Sequence, residues 1–269
     1  MVYSVVEIKG GFGNQLFQFN YAHFLKSRRH KVLTNTHWFK ENNDKFGRNL
    51  IFDSTFYKFK NPNKYLLKTI EINQKYKFKN NLIYSVNSDE SVCNKNSLIK
   101  HYNGYWQSKE YLENTKNFLK PTLSQHKGFE EAFKKDKKSS VMIHIRSKDY
   151  KDEILETEYF NYSVDLLSRK FNDLSFNLFT DDEEILSSLN FKRKLNSVNI
   201  QSSSEDDTLF TFIKMLENEH FIISNSTFSF MAALLGSENS SIVIQPSPWM
   251  KKKNKNLTIK DWVSVSRPR

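Results

Sequence analysis

The chain has 269 residues and a mass of 31.9 kDa, room for one large or two medium domains. Hydrophobic residues make up 38% and aromatic residues 14%, enough to bury a sizeable core, so a disordered chain is excluded. The net charge is +11 and unevenly placed: residues 1–140 carry 25 Lys and Arg against 12 Asp and Glu, a net +13, and residues 141–269 carry 16 against 18, a net −2. A basic half joined to a near-neutral half points to two units with different partners. A basic surface meets nucleic acid, anionic lipid or a phosphorylated substrate, or its lysines simply keep it solvated. The single cysteine, Cys93, excludes an intrachain disulfide and a Cys-based zinc site, and it suits a reducing cytoplasm. The N-terminal run is too short and lacks the basic leader of a signal peptide, and no window of about 18 apolar residues is present to span a membrane.

Along the chain, Val2–Ile8 reads as a buried strand. The loop GGFG at Gly10–Gly13 then holds three of the chain's seven glycines. A helix is predicted over Asn14–Arg29, with Leu16, Phe17, Asn20 and Phe24 near one face. His30–Asn35 reads as a second strand. Residues 40–100, rich in Lys, Asn and Phe, have weak periodicity and are expected to form irregular loops and short helices. Ser108–Phe118 reads as a helix, Pro121–Lys127 as a connection and Gly128–Lys138 as a charged helix. The Lys-Lys-Ser-Ser run at its end is the expected boundary, dividing residues 1–138 from 139–269. Strands are expected at Val141–Ile145, Ser175–Thr180, His220–Ser224 and Ile242–Gln245. Helices are expected at Tyr159–Lys170, Glu183–Leu189, Asp206–Leu216 and Phe228–Leu235. This alternation predicts right-handed βαβ units and a parallel sheet, hence an α/β fold. No internal repeat is visible.

Four stretches carry chemistry. The strand–Gly10-Gly11-Phe12-Gly13–helix sequence has the form of a phosphate- or dinucleotide-binding turn, or of a tight strand–helix turn. Leu16 stands where the dinucleotide fingerprint wants a third small residue, no Gly-Lys-Ser/Thr follows, and HKVLTNT at 30–36 lacks the ribose-binding acid of an NAD site. Asn14 and Gln15 at the helix start are placed to cap it or to face a ligand. In Val141-Met-Ile-His144-Ile-Arg146-Ser-Lys148-Asp149-Tyr150, His144 and Arg146 share one strand face near the end where open α/β sheets bind ligands. A buried Arg there needs an anion: a phosphate or the nearby Asp149. Phe176-Asn-Leu-Phe-Thr180-Asp181-Asp182 ends a strand in two carboxylates, suited to a divalent metal, to a base or ribose, or to capping the next helix. His220-Phe-Ile-Ile-Ser224-Asn225-Ser226-Thr227-Phe228-Ser229 runs a buried strand into a hydroxyl-rich helix start, which is either an N-cap or an anion site.

In this order, GGFGNQLFQ, HIRSKDY, FTDD and ISNSTFSFMAALLG resemble the bacterial α-1,2-fucosyltransferases, glycosyltransferase family 11, from Gly10 to Gln245-Pro-Ser-Pro-Trp249. The resemblance implies a GT-B-like fold: two Rossmann-like domains with parallel sheets facing across a cleft. The N-terminal domain would carry the glycine-rich loop on the acceptor side, and the C-terminal domain would bind GDP-fucose. It implies transfer of L-fucose from GDP-β-L-fucose to the 2-hydroxyl of a terminal galactose in a bacterial surface glycan such as an O-antigen, with inversion. No metal or other cofactor is implied; GDP-fucose is the donor substrate. The acceptor would be a galactose-terminated oligosaccharide or a lipid-diphosphate-linked glycan. His144 and Arg146 would line the donor pocket, with Arg146 on the diphosphate. Asp181 or Asp182 would meet the guanosine. Ser226, Thr227 and Ser229, with Phe228 among them, would bind phosphate, and Phe12, Gly13 and Asn14 would approach the donor from the opposite domain. Asp149 and Glu7 are the candidates for the acceptor's proton. The family's usual His-x-Arg-Arg-x-Asp has Ser147 at the second Arg here and Lys148 in place of a Gly. The basic N-terminal half then suits a cytoplasmic protein in peripheral contact with an anionic inner membrane, and no nucleic acid is expected. Two further readings stay open: a metal-dependent GT-A-type transferase with Asp181-Asp182 on Mn²⁺, and a non-enzymatic basic protein that binds membrane or nucleic acid.

Overall fold

A computed structural model describes residues 2–41, 47–76, 82–87, 97–148, 153–185, 191, 193–201, 204–251 and 257–267. Among them the chain separates into two compact units, Met1–Thr122 and Leu123–Arg269. The first unit holds β1 (Tyr3–Glu7), α1 (Phe12–Ser27), β2 (Lys31–Asn35), α2 (Trp38–Glu41), α3 (Lys64–Tyr76), β3 (Ile83–Val86), β4 (Ile99–Tyr102) and most of α4 (Thr115–Leu123). Its four strands are all parallel, in the order β2-β1-β4-β3. Consecutive valines Val5 and Val6 of β1 are both fully buried, as a strand covered on both faces requires. In α1, Phe12, Leu16, Phe19 and Ala22 are buried together with Gln15, Gln18 and Asn20. The helix is therefore enclosed on all sides rather than along the single face its periodicity suggests.

The second unit continues with α5 (Lys127–Lys134), β5 (Ser140–Ile145), α6 (Thr157–Lys170), β6 (Ser175–Thr180), β7 (Ser197–Ile200), α7 (Glu205–Leu216), β8 (His220–Ile222), α8 (Thr227–Gly236), β9 (Val243–Ser247) and β10 (Val263–Ser266). Its sheet is also all parallel, and from one edge its order is β7-β6-β5-β8-β9-β10. Counted within the unit this is 3-2-1-4-5-6, the doubly wound Rossmann order, whose chain direction reverses between β5 and β8. Val141, Ile143 and Ile145 of β5 pack with Tyr159, Phe160, Val164 and Leu167 of α6 on one face. The alternate residues, Met142 and His144, face the other way.

The expected α/β class with two parallel-sheet units is observed. Residues 40–100 differ from expectation: the thirteen-residue α3 and the strands β3 and β4 lie there. The helix expected over Ser108–Phe118 divides into a 3-10 turn at Lys109–Tyr111 and α4, which runs on through Pro121. The expected helix over Glu183–Leu189 is described only as far as Ile185. The units part between Thr122 and Leu123, ahead of the basic run at 138, because α5 belongs to the second core: Phe129 meets Phe212 of α7 with ring centroids 6.0 Å apart.

Candidate functional site

In doubly wound sheets ligands bind outside the carboxyl ends of the strands where the chain direction reverses. In the second unit that point is the gap between the ends of β5 and β8. His144 Nδ1 and Ser224 Oγ bridge it at 2.9 Å. His144 is buried, and its Nε2 has no hydrogen-bonding partner among the described residues. Burial, and then the neighbouring Arg146 charge, push its pKa down to about 3, so the imidazole is neutral at ordinary pH. The Phe228 ring, 6.1 Å away between centroids, helps seal it.

Arg146 follows β5. The register that pairs Ile145 with Thr180 places it across from Asp181, and its Nη1 lies 2.9 Å from Asp181 Oδ2. Asp149, the alternative to a phosphate as the anion for Arg146, lies outside the described residues. Asp181 also accepts the Ser147 N–H at 2.9 Å on Oδ1, so this carboxylate is engaged in holding the 146–147 turn rather than presented to a nucleoside. Asp182 accepts the Ser147 hydroxyl at 2.7 Å on Oδ2 and the Glu184 N–H at 3.1 Å on Oδ1, the capping alternative. Among the described residues, no three His, Cys, Asp or Glu side chains come together as a metal ligand set.

At the start of α8, Ser226 is the N-cap and its hydroxyl accepts the Phe228 N–H at 3.3 Å. Ser229 departs from the expectation. It is fully buried and its hydroxyl donates to the Ser226 carbonyl at 3.2 Å, turned into the helix instead of outward. Thr227 at the first helical position is half-buried. What the helix start offers an anion is therefore its dipole and first-turn N–H groups more than a row of hydroxyls. Sequence reasoning missed two supports behind this edge. The Tyr159 hydroxyl donates to the carbonyls of Ile223 and Ile244, and Arg267 Nη1 and Nη2 hold Glu153 Oε2 and its carbonyl, each at 2.8 Å. A Tyr on the apolar side of an amphipathic helix and an Arg near the C-terminus were the available signals.

In the first unit the chain direction reverses between β1 and β4. Here the glycine loop turns back onto α1. Gly10 has φ +78°, and a Cβ on it would lie 3.0 Å from Asn14 Nδ2 and 3.2 Å from Tyr105. Gly11 is the N-cap at φ −68°, with no side-chain cap bond on the helix. Phe12 and Gly13, in the first turn of α1, are buried. Gln15, read as a cap or ligand contact, instead donates to the Gly10 and Asn49 carbonyls and accepts the Ile51 N–H. Asn14 accepts from Gln107 Nε2 at 2.8 Å. Glu7, at the end of β1, accepts from Asn35 Nδ2 on both oxygens and lies 2.6 Å from His101 Nε2.

Against known proteins, residues 4–266 match the family described as Glycosyl transferase family 11. The chain belongs to that family. It is 25% identical over 279 residues to an alpha-1,2-colitosyltransferase of Escherichia coli, covering 94% of each protein. Among solved structures, it is similar to the NodZ alpha-1,6-fucosyltransferase of Bradyrhizobium co-crystallised with GDP, at 14% identity and a TM-score of 0.44, covering 87% of this chain and 92% of that one. It is also similar to the E. coli heptosyltransferase WaaC with ADP, at 8% identity and a TM-score of 0.46, covering 99% and 94%. The family makes the chain a glycosyltransferase.

Proposed function

We propose that this glycosyltransferase transfers L-fucose from GDP-β-L-fucose to the 2-hydroxyl of a terminal galactose, with inversion and without a metal. The observation that carries the reading is the Arg146–Asp181 pair at the carboxyl end of β5, beside the start of α8 and a His144 Nε2 that has no partner among the described residues. Glycosyl transfer passes through an oxocarbenium-like state, and negative charge grows on the departing diphosphate. Arg146, fixed by Asp181, and the dipole of α8 are suited to stabilise that charge. His144 is a neutral group in this role. With Ser224 donating to Nδ1, its Nε2–H is a donor for a phosphate or ribose oxygen. The Gly10–Asn14 turn is assigned to sugar and acceptor binding. Glu7 is tied to Asn35 and His101, which leaves Asp149 as the candidate for the acceptor's proton, and a dissociative displacement that asks little of a base also fits. The 1,2 linkage is supported by the name of the E. coli relative.

That same relative favours a second reading, a colitosyl donor at the same site. Calorimetry with GDP in EDTA, followed by turnover with fucosyl and colitosyl sugar nucleotides and galactosides, tests both. Metal-free GDP binding and fucose transfer are expected. Binding that requires Mn²⁺ refutes the metal-free reading, and transfer of colitose alone moves the assignment to the second donor.

A further inference from the structure

Divided at the boundary of the two units, the charge separates completely: residues 1–122 carry 20 Lys and Arg against 9 Asp and Glu, and residues 123–269 carry 21 against 21. The whole excess of +11 therefore lies on the first unit. Its most exposed helix is α3. One side of α3, Leu66 and Ile70, packs on Val5, Leu33, Ile83 and Ile99 of the sheet. Away from that side, Tyr65, Ile72 and Tyr76 stand at helical spacing in one stripe, 72%, 40% and 60% exposed. Lys64, Lys68 and Lys75 form the neighbouring stripe, and two of them lie over the tyrosine rings: Lys64 Nζ is 5.2 Å from the Tyr65 centroid and Lys75 Nζ 5.6 Å from that of Tyr76. Further exposed apolar residues lie at the amino ends of the strands. Leu82 and Leu98 are both exposed, and the backbone joins them side by side with Tyr3: Ile99 N–H donates to the Leu82 carbonyl and Tyr3 N–H to the Leu98 carbonyl, each at 2.9 Å. This edge is opposite the one that carries the glycine loop.

We propose that the exposed face of α3, with Leu82 and Leu98, docks the first unit on an anionic phospholipid surface. A helix with aromatic and aliphatic residues in one stripe and lysines along its border lies in the plane of a bilayer interface. Tyrosine is amphipathic and sits at headgroup level, and lysine stems reach past apolar groups to place their ammonium on lipid phosphates. Among the described residues no helix is long and apolar enough to cross a membrane, so the contact is a surface one. The glycine-loop edge stays clear of lipid in this arrangement. The proposal is independent of the donor assignment, which rests on the second unit.

The test is co-sedimentation of the full chain with vesicles of phosphatidylglycerol and phosphatidylcholine, or of phosphatidylcholine alone. Wild type is compared with K64E/K68E/K75E, with Y65S/I72S/Y76S, and with K58E/K60E/K109E, which makes the same charge change on exposed lysines outside α3. GDP affinity and the unfolding transition report that each variant is folded. A lysine close to an anionic surface is worth roughly fivefold in affinity, so losing three should weaken binding on the order of 100-fold, and the reversed charges of the α3 lysine variant should weaken it further. The stripe variant should lose the part of binding that survives high salt, and the control should retain most of its affinity. Equal losses in the control and the α3 variant would overturn the proposal in favour of diffuse charge. Absence of vesicle binding would overturn it outright, and RNA binding in its place would hand the basic unit to nucleic acid.

Discussion

Replacing Asp181 with Asn removes one negative charge while keeping the side chain's shape. In the folded chain the carboxylate does two things: Oδ2 lies 2.9 Å from Arg146 Nη1, and Oδ1 accepts the Ser147 N–H. The amide satisfies only one of these. With its oxygen toward Ser147, its NH₂ meets the guanidinium donor to donor; flipped, it leaves the Ser147 N–H unmatched. The two side chains are 6% and 21% exposed, between the buried regime, where losing one partner costs about 3–5 kcal/mol, and the surface regime, where the pair is worth under about 1 kcal/mol. Asp181→Asn should therefore cost about 2 kcal/mol of stability, and Arg146→Ala about the same. The double variant removes both halves and strands neither, so it should cost about 2 rather than about 4 kcal/mol, a coupling of about 2 kcal/mol. Urea unfolding of the four proteins measures this. GDP calorimetry on the same set separates anchoring from holding. Arg146→Ala should lose about 2–4 kcal/mol of diphosphate stabilisation, whereas Asp181→Asn keeps a mispositioned guanidinium and should weaken GDP about tenfold. Additivity within about 0.5 kcal/mol would refute the coupled pair. Unchanged GDP binding in Arg146→Ala would refute the diphosphate role.

Three more outcomes are expected. Gly10→Ala places a Cβ at φ +78° against Asn14 and Tyr105 and should destabilise by about 1–2 kcal/mol, while Gly11→Ala, whose Cβ would meet only Arg48 at 3.9 Å, should be tolerated; equal melting points for the two would contradict this. The folded-state pKa of His144, near 3, lies below its unfolded value of 6.5, so between these values the unfolded chain binds the extra proton and stability falls as pH falls, by at most about 1.4 kcal/mol per unit. Burial lowers His23, His30 and His220 in the same direction, and His144→Gln should flatten the acid limb of the melting profile without abolishing it. Ser147→Ala strips the hydroxyl from Asp182 and should cost about 0.5–1.5 kcal/mol with little change in GDP affinity; a large loss of GDP binding would place Ser147 on the ligand instead.

Much of the second unit was legible because its central strands are continuous apolar runs. Val-Met-Ile-His-Ile and His-Phe-Ile-Ile announce buried parallel strands, and the hydroxyl-rich segment after β8 announces a helix start. The edge strands were not legible. β7 is Ser-Val-Asn-Ile with Val198 and Ile200 exposed, and β10 is Val-Ser-Val-Ser; four alternating residues look like any loop. α3 was hidden because its buried side is narrow and its tyrosines face out, which blurs the apolar period. The basic run misled for a related reason. Lys137 is buried and its Nζ donates to the Gly236 carbonyl, so a stretch that reads as linker belongs to a core. At the site, the sequence offered Asp181 and Asp182 with equal claims. Which of them meets Arg146 is set by the β5–β6 register, through the pairing of Ile145 with Thr180, and composition does not show it.

Each unit carries a histidine at the point where its chain direction reverses, and the two differ in what they leave unsatisfied. His101 of β4 faces Glu7 with Nε2, and its Nδ1 lies 3.1 Å from Gln74 Nε2 and 3.4 Å from the Ser85 hydroxyl. Both ring nitrogens are engaged, and the Glu7 carboxylate also takes Asn35 on both oxygens. This cluster ties β1, β2, β3, β4 and α3 together, so its loss should show first in stability. His144 has one nitrogen on Ser224 and one buried nitrogen without a partner among the described residues. Leaving a buried polar atom unmatched costs about 1–3 kcal/mol, which a ligand oxygen at that position would recover. The same strand end holds Arg146, braced by a carboxylate, beside the start of α8 in a unit whose overall charge is balanced. Under the proposed function, attraction for the donor's diphosphate would therefore come from one strand end and not from the net charge of the unit, which is what would distinguish such a site from a generally basic surface.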